Sequence, residues 1–313
     1  MVWWQHRDRA IKIVLTLRYQ TLRKLLLLFV VICPISFYFT IYHYWINRDV
    51  SLTTLRNYRP IQQSTKAKLL VAIGCAITSK KLIKLSGSNI KQKFQFFHTF
   101  LPTFCDTASQ SFVYQFYLAY DRDDRVFANQ TLRNAFQRQF HEATTSGSCA
   151  NRGIITSLFM VNCDYAGKPA WAQNDAMLEA YLDHADYFYR INDDTKMLTG
   201  GWTEKFISTL KSYDPALIGV VGPNHYGGNV KILTYDFVHW THIDIFGFYY
   251  PHAFTDCYAD WWITNVYTPN RSTKIYEMFL VHTQLLGMRH RSRVEVKNHV
   301  NHQLAHDKVI VQR

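Results

Sequence analysis

An uncharged run of 21 residues, Leu25 to Trp45, constrains this chain more than any other feature. Its centre, LLLLFVVICPISFYF, is long and apolar enough to cross a bilayer as one helix. Tyr42, Tyr44 and Trp45 put aromatic rings at the far end, where a membrane meets water. Pro34 is tolerated inside a membrane helix. The residues ahead of the run carry Arg7, Arg9, Lys12, Arg18, Arg23 and Lys24 against Asp8 alone, which keeps them cytosolic. A cleaved signal peptide is the competing reading. Against it, both the apolar core and the basic region are long, and no small-x-small site follows. The sequence therefore predicts a basic tail over 1–24, a single-pass anchor over 25–45, and the rest of the chain on the far side of the membrane.

Residues 46–66 are polar and aperiodic and read as a short stem. From residue 67 the pattern becomes that of one α/β domain running to 313, a length that supports a sizeable core. Apolar runs at Leu69 to Ile77, Phe112 to Tyr120, Ile154 to Val161, Asp186 to Ile191 and Ala216 to Val221 predict buried strands. Between them lie helical stripes. Asn89 caps one with Ile90, Phe94, Phe97 and Leu101, and Asn129 caps another with Leu132, Phe136 and Phe140. Pro169 opens a third, with Trp171, Leu178 and Leu182 inward. Gly200-Gly201 precedes a fourth, with Trp202, Phe206 and Leu210. Strands alternating with helices predict a mostly parallel sheet covered on both faces.

The aromatic fraction of 16% and hydrophobic fraction of 48% exclude a disordered chain. The net charge of +12 suits a solvated basic surface or an anionic small-molecule substrate. A nucleic-acid partner is not expected, since no basic helix or aromatic-basic motif occurs. Beyond the anchor stand Cys75, Cys105, Cys149, Cys163 and Cys257. Their odd number leaves at least one thiol free, with Cys75 in a buried strand the first choice. Cys149 with Cys163 is one possible pairing, and connectivity stays open. The sequons at Asn129 and Asn270 agree with a lumenal, glycosylated domain.

Two acidic clusters end predicted strands. Asp121, Asp123 and Asp124 follow the second, and Asn192-Asp193-Asp194 follow the fourth. In a parallel sheet, ligands bind at the carboxyl ends of strands, so both clusters fall on the edge that carries function. Adjacent carboxylates repel unless a cation or donor lies between them, and hard oxygens suit Mg²⁺ or Mn²⁺. The plainer alternatives are a solvated acidic turn at the first cluster and a polar turn at the second. Trp261 and Trp262 offer sugar-stacking faces, although packing is the ordinary use of tryptophan.

The stretch ending in Asp193-Asp194 resembles the DXD-type signature of GT-A nucleotide-sugar transferases. Pro169-Ala-Trp171, Tyr187-Phe-Tyr-Arg-Ile-Asn-Asp-Asp194, Gly201-Trp202-Thr-Glu204 and Gly219-Val-Val-Gly-Pro-Asn224 resemble one largely uncharacterised eukaryotic GT-A group. So do Phe237 to Gly247 and Asp260-Trp-Trp-Ile263. The resemblance spans about residues 69–290. It implies a GT-A, Rossmann-like sheet and a metal-dependent, hexosyltransferase-like enzyme. Such an enzyme moves sugar from a nucleoside diphosphate donor to a hydroxyl of a glycan, protein or lipid, with inversion. Asp193 and Asp194 would match the acids that hold metal and diphosphate. Asp121 would accept the base N–H, and Thr78 would line the same pocket. Asp260 would match the general base that opens a helix, although the group often has Asp-Asp-Trp there and this chain has Asp260-Trp. Asp256 is the nearby substitute. Some members use a late histidine as third metal ligand; His282 and His290 stand in suitable order, with His290 assigned as the ligand, and His239 and His242 read as core or surface residues. Together these imply a type II Golgi or ER enzyme with a lumenal domain. The alternative is an inactive, membrane-tethered carbohydrate-binding or scaffold protein on the same fold.

Overall fold

A computed structural model describes residues 68–312 except 81, 83, 228, 257 and 284–296. The expected anchor, the stem and His290 lie outside the described residues. No helix among the described residues is long and apolar enough to cross a membrane.

Eight strands form one mixed sheet: β1 (Leu70–Ile77), β2 (Val113–Tyr120), β3 (Ile155–Asn162), β4 (Tyr187–Arg190), β5 (Thr195–Met197), β6 (Val220–Tyr226), β7 (Phe237–His239) and β8 (Ser272–His282). The helices are α1 (Ile90–Lys93), α2 (Leu101–Thr107), α3 (Gln130–Thr145), α4 (Ser148–Asn151), α5 (Pro169–Leu182), α6 (Trp202–Lys211), α7 (Thr241–Phe246), α8 (Ala259–Val266) and α9 (Lys297–Gln312). A π-helical turn over Phe96–Phe100 precedes α2. The strand order is β3-β2-β1-β4-β7-β6-β8-β5. Strands β3, β2, β1 and β4 run parallel, whereas β7 is antiparallel to both β4 and β6.

Side chains alternate across β1, which is why its run reads as continuously apolar. Val71, Ile73, Cys75 and Ile77 face one core with Phe94, Phe96, Phe100, Phe104, Phe116, Phe136 and Phe140. Tilted and edge-on ring pairs fill it, such as Phe97–Phe136 with centroids 4.6 Å apart. Such pairs are each worth about 0.5–1.5 kcal/mol beyond area burial. Ala72 faces the other core, with α5, α7, α8 and α9. There α5 lies close on the sheet: a Cβ at Gly74 would stand 2.4 Å from Met177 Cε. Ala170, Ala172, Ala176 and Ala180 make that approach possible.

The local signals hold in part. Asn129 Oδ1 caps α3 by accepting from Leu132 N–H at 3.1 Å, and Pro169 opens α5. Trp202, Phe206 and Leu210 are buried as expected. The first stripe is not one helix: Phe94 turns extended, and the chain restarts as the π turn and then α2. Asn89 makes no capping bond; its Oδ1 accepts from Ser86 N–H instead. The inward face of α5 is its alanine face with Met177 and Tyr181, while Leu182 is exposed and Trp171 half-buried. The fifth strand begins at Val220, because 216–219 form the turn that follows α6. Cys105 in α2 bonds Cys149 in α4, not Cys163, and Cys75 and Cys163 are buried free thiols. Asn129 and Asn270 are both exposed.

Candidate active site

The register leaves a step at the carboxyl edge. Strands β1 and β2 run level to Ile77 and Tyr120, but β4 stops at Arg190, opposite Gly74. Past that point Ile191 N–H bonds Gly74 carbonyl at 3.0 Å, and the chain turns through Asn192, Asp193 and Asp194 into β5. Strand β5 pairs with β8 so that Thr195 faces His282. This brings His282 Nε2 within 3.1 Å of Asp194 Oδ2. Thr283 adds its N–H and its hydroxyl to the Asp194 carbonyl, at 3.2 and 2.7 Å. Asp194 is 0% exposed and Asp193 5%. Thus Asp194 is a closely packed residue that ties the end of β4 to the end of β8.

The acids after β2 behave differently. Asp124 is buried and accepts from Ser79 N–H (2.7 Å), Ser79 hydroxyl (2.7 Å), Val126 N–H (3.0 Å) and Phe127 N–H (3.1 Å). The Thr78 hydroxyl also points at it, at 3.3 Å. Asp124 and Thr78 therefore pin the loop after β1 to the loop after β2. Asp121 is half-buried; its Oδ2 takes Lys80 Nζ and, at 3.0 Å, Gly167 N–H. The Asp121 hydrogen bond, opposing a smaller desolvation effect, raises the Lys80 pKa. Of the three, Asp123 is the solvated member of the turn.

Asp260 stands in the first turn of α8. The chain enters that helix through Tyr258 in the left-handed region (φ 71°), a costly conformation for a residue with a side chain. Asp260 Oδ1 accepts its neighbour Trp261 N–H at 2.9 Å, and Thr234 hydroxyl lies 3.5 Å from Oδ2. Trp262 is fully buried, donating its indole N–H to Asp307 of α9 at 3.0 Å, so its role is packing. Trp261 is half-buried beside Asp260. His242 is also internal, held by Tyr267 hydroxyl and Tyr249 carbonyl; burial pulls its pKa down to about 4. His239 is buried in β7 against Thr241.

One group at this edge has no counterpart in the sequence reading. Arg190, last in β4, is half-buried. Its N–H bonds Asp236 carbonyl at 2.9 Å, and its guanidinium Nη1 donates to Thr234 carbonyl. Asp236, immediately before β7, is 0% exposed. Its two oxygens accept the hydroxyls of Tyr249 and Tyr250, the latter at 2.5 Å. Burial pushes the Asp236 carboxyl up to about 6, against the opposing pull of both tyrosines and Arg190. A lone Asp in an apolar run, Tyr235-Asp-Phe-Val238, was the signal available in the sequence.

At the carboxyl edge Asp193 and Asp194 follow β4 and Asp194 meets His282 of β8, while Asp236 and Asp260 lie within electrostatic reach of Arg190, the last residue of β4. Asp121 and Thr78 lie at the ends of β2 and β1. Two surface recesses, one lined by Asp106, Gln110, Arg152 and Glu204 and one along β3 and α3, hold none of these residues.

No protein-family model matches the chain, and no curated protein matches it in sequence. Solved structures of S. aureus TarS superpose loosely. One TarS structure gives a TM-score of 0.42 at 12% identity, over 76% of this chain and 39% of that one. TarS 1–349 with UDP gives 0.42 at 13% over 76% and 65%. The same fragment with UDP-GlcNAc gives 0.42 at 14% over 76% and 66%. The aligned part spans less than two thirds of each of these chains. A superposition this loose says nothing about activity, which must be argued from the site.

Proposed function

We propose that this chain is a glycosyltransferase of the GT-A type. It takes a sugar from a nucleoside diphosphate donor and joins it to a hydroxyl acceptor with inversion. The observation that carries the reading is the juxtaposition at the end of β4. An acid–imidazole pair, Asp194 with His282, follows the strand, and a carboxylate at a helix start, Asp260, lies within electrostatic reach of Arg190, the strand's last residue.

The residues fit a divalent cation in part. Asp194 Oδ2 and His282 Nε2 are an oxygen and a nitrogen donor already 3.1 Å apart, of a kind Mn²⁺ accepts. Asp193 adjoins them in the chain. Among the described residues no three such side chains converge. Asp194 and His282 would hold the ion, with Asp193 and His290 kept as ligands only on the resemblance. Bound there, a divalent cation offsets the charge that develops on a departing diphosphate.

The chain's own residues supply the rest. Asp121 accepts the base N–H once Lys80 shifts toward the phosphates, which its exposed ammonium permits. Asp260 takes the proton of the acceptor hydroxyl as that oxygen attacks the anomeric carbon. Trp261 offers a ring face beside it. The Cys105–Cys149 disulfide and the exposed sequons support a lumenal domain, and residues 25–45 would anchor it in Golgi or ER membrane with type II topology. Protection of the described domain from protease in intact microsomes is expected; digestion would reverse the orientation.

The deciding experiment uses the full chain in detergent. Nucleotide release is measured with Mn²⁺ across UDP-, GDP- and CMP-sugars, with and without simple glycan acceptors. Acceptor-stimulated release from one donor class is the expected result. Binding of a glycan with no release from any donor would instead favour a tethered carbohydrate-binding protein.

A further inference from the structure

The sheet is not covered across its whole width. Side chains alternate along β6: Val221 faces the phenylalanine core, while Val220 faces the core that holds α8. Gly222 faces that way too, since a Cβ there would stand 3.1 Å from Leu233 Cδ2. By the same alternation Asn224 and Tyr226 point to the α8 side. At this end of β6 the covering layer has run out, and Tyr226 is 57% exposed. Its ring stacks on Phe279 of β8, with centroids 5.8 Å apart and planes within 13°. The β5–β8 register, continued one step past Met197–Leu280, sets Leu198 opposite Phe279 on the same face. Leu198 N–H donates to the Phe279 carbonyl at 3.0 Å, and its side chain is 48% exposed. Tyr226, Phe279 and Leu198 thus make one apolar row across β6, β8 and β5.

The row abuts the Asp194–His282 pair. Tyr226 is in register with Val281, the residue before His282. The next residue along, Gly227, has a φ of 89°. A Cβ there would stand 3.1 Å from the His282 carbonyl and 3.3 Å from His282 Cβ. Polar groups rim the row. Asn224 is half-buried on the same face, Lys196 of β5 is exposed and in register with Val281, and Tyr226 carries its own hydroxyl. The loop after β6 is braced. Lys274 Nζ donates to the Val230 and Ile232 carbonyls at 2.6 and 3.0 Å, and Leu233 N–H donates to Thr264 of α8 at 2.8 Å.

We propose that Tyr226, stacked on Phe279, is an acceptor subsite that takes a sugar ring, so that the acceptor is an oligosaccharide rather than a bare protein or lipid hydroxyl. This rests on the reading of the β4 end as a sugar-transfer site. The chemistry of the surface selects the occupant. A pyranose turns C–H bonds outward on one face and hydroxyls at its rim. The face of an aromatic ring is electron-rich and attracts such C–H bonds. The amide, ammonium and phenol around the row suit the hydroxyls. A lipid chain would need an enclosed apolar groove, whereas this surface is open and one ring pair and one leucine wide. Its place beside His282 puts a bound glycan next to the pair that would face the donor.

The test uses the full chain in detergent and three probes: triacetylchitotriose, mannotriose and N-acetyllactosamine. Binding is measured without donor by saturation-transfer NMR in wild type, Tyr226→Ala, Tyr226→Phe and Phe159→Ala. The last is the control: Phe159 is also partly exposed and stacked, on Tyr117 at 5.0 Å and 13°, but in β3 at the opposite edge of the sheet. Wild type should bind at least one probe. Tyr226→Ala should weaken that binding about threefold to tenfold, the range for one aromatic contact. Tyr226→Phe keeps the ring and should stay within about twofold of wild type, and Phe159→Ala should match it. In turnover, Tyr226→Ala should raise the acceptor KM by the same factor and leave kcat in place, because the contact is made equally in ground and transition states. Equal binding by wild type and Tyr226→Ala, an equal loss in Phe159→Ala, or no binding of any probe overturns the inference. Self-association in sedimentation that Tyr226→Ala abolishes, with glycan binding unchanged, assigns the row to a second copy and overturns it as well. Glycan binding that depends on Tyr226, with no nucleotide release from any donor, overturns the transferase reading and leaves the sugar subsite standing.

Discussion

The ends of β2 and β4 carry the same sequence sign, acids after a buried strand, and come to opposite uses. After β2, Asp124 is surrounded by backbone N–H groups and a serine hydroxyl. After β4, Asp194 meets an imidazole, while Asp236, just before β7, meets two phenols. A carboxylate bonded by backbone donors is held for structure, since those donors cannot leave without undoing the turn. We propose that Asp194, bonded instead by an imidazole, is held for chemistry. Position at a strand end does not separate the two; the partner atoms do.

The sharpest test of that contrast is Asp260→Asn. It keeps shape but cannot take a proton at neutral pH, and turnover should fall by about 10²–10⁴-fold with nucleotide affinity unchanged. Asp193→Asn should differ in kind, weakening nucleotide affinity and turnover together, because it touches the donor rather than the acceptor. Near-parental turnover in Asp260→Asn would move the base to Asp256, which is half-buried nearby, or point to retention.

Next in size is Asp124→Ala. Removing an acid that satisfies several buried donors should cost about 3 kcal/mol, since each buried N–H left unmet costs roughly 1–3 kcal/mol. Denaturant midpoints with an unchanged m-value would report it. A parental midpoint would break the comparison, because Asp124 would then not be holding the loops.

The smallest effect is expected at the Lys80–Asp121 pair. Lys80 is substantially exposed, so Lys80→Ala should change stability by less than about 1 kcal/mol, as surface ion pairs usually do. Uridine nucleotide affinity should hold or rise, since Asp121 is released for the base. Asp121→Ala should weaken affinity for UDP and reduce discrimination between bases. If Lys80→Ala weakens UDP binding more than Asp121→Ala does, Lys80 is the ligand-facing member of the pair.

Where the physical signal was local, the sequence was readable. The runs of β1 and β2 are apolar because both faces of a parallel sheet are covered; β3 lies at the sheet edge, with Ile155 and Phe159 exposed rather than buried as expected, yet all three strands meet their expected bounds within a residue or so. Asn129 caps α3 and Pro169 starts α5 through atoms within three residues. The failures share a cause. The stripe from Ile90 to Leu101 has helical spacing, yet Phe94 packs edge-on against Phe136, with centroids 5.2 Å apart, and the backbone breaks to let it. The disulfide joins cysteines 44 residues apart, chosen by where α2 and α4 meet.

The sequence by itself determined an α/β sheet and marked Asp121, Asp193, Asp194 and Asp260 as the acids expected at its carboxyl edge. It also singled out residues 25–45 as the apolar span, which lie outside the described residues. Only the tertiary structure decided which acid does what. Strand-to-helix periodicity is written in neighbours three or four positions apart, but a carboxylate takes its character from whatever surrounds it. Asp124 reaches Ser79 across 45 residues, Asp194 reaches His282 across 88, and Asp236 is boxed in by Tyr249 and Tyr250 from one segment and Arg190 from another. Desolvation and charge depend on distance in space, which the order of residues along the chain does not record.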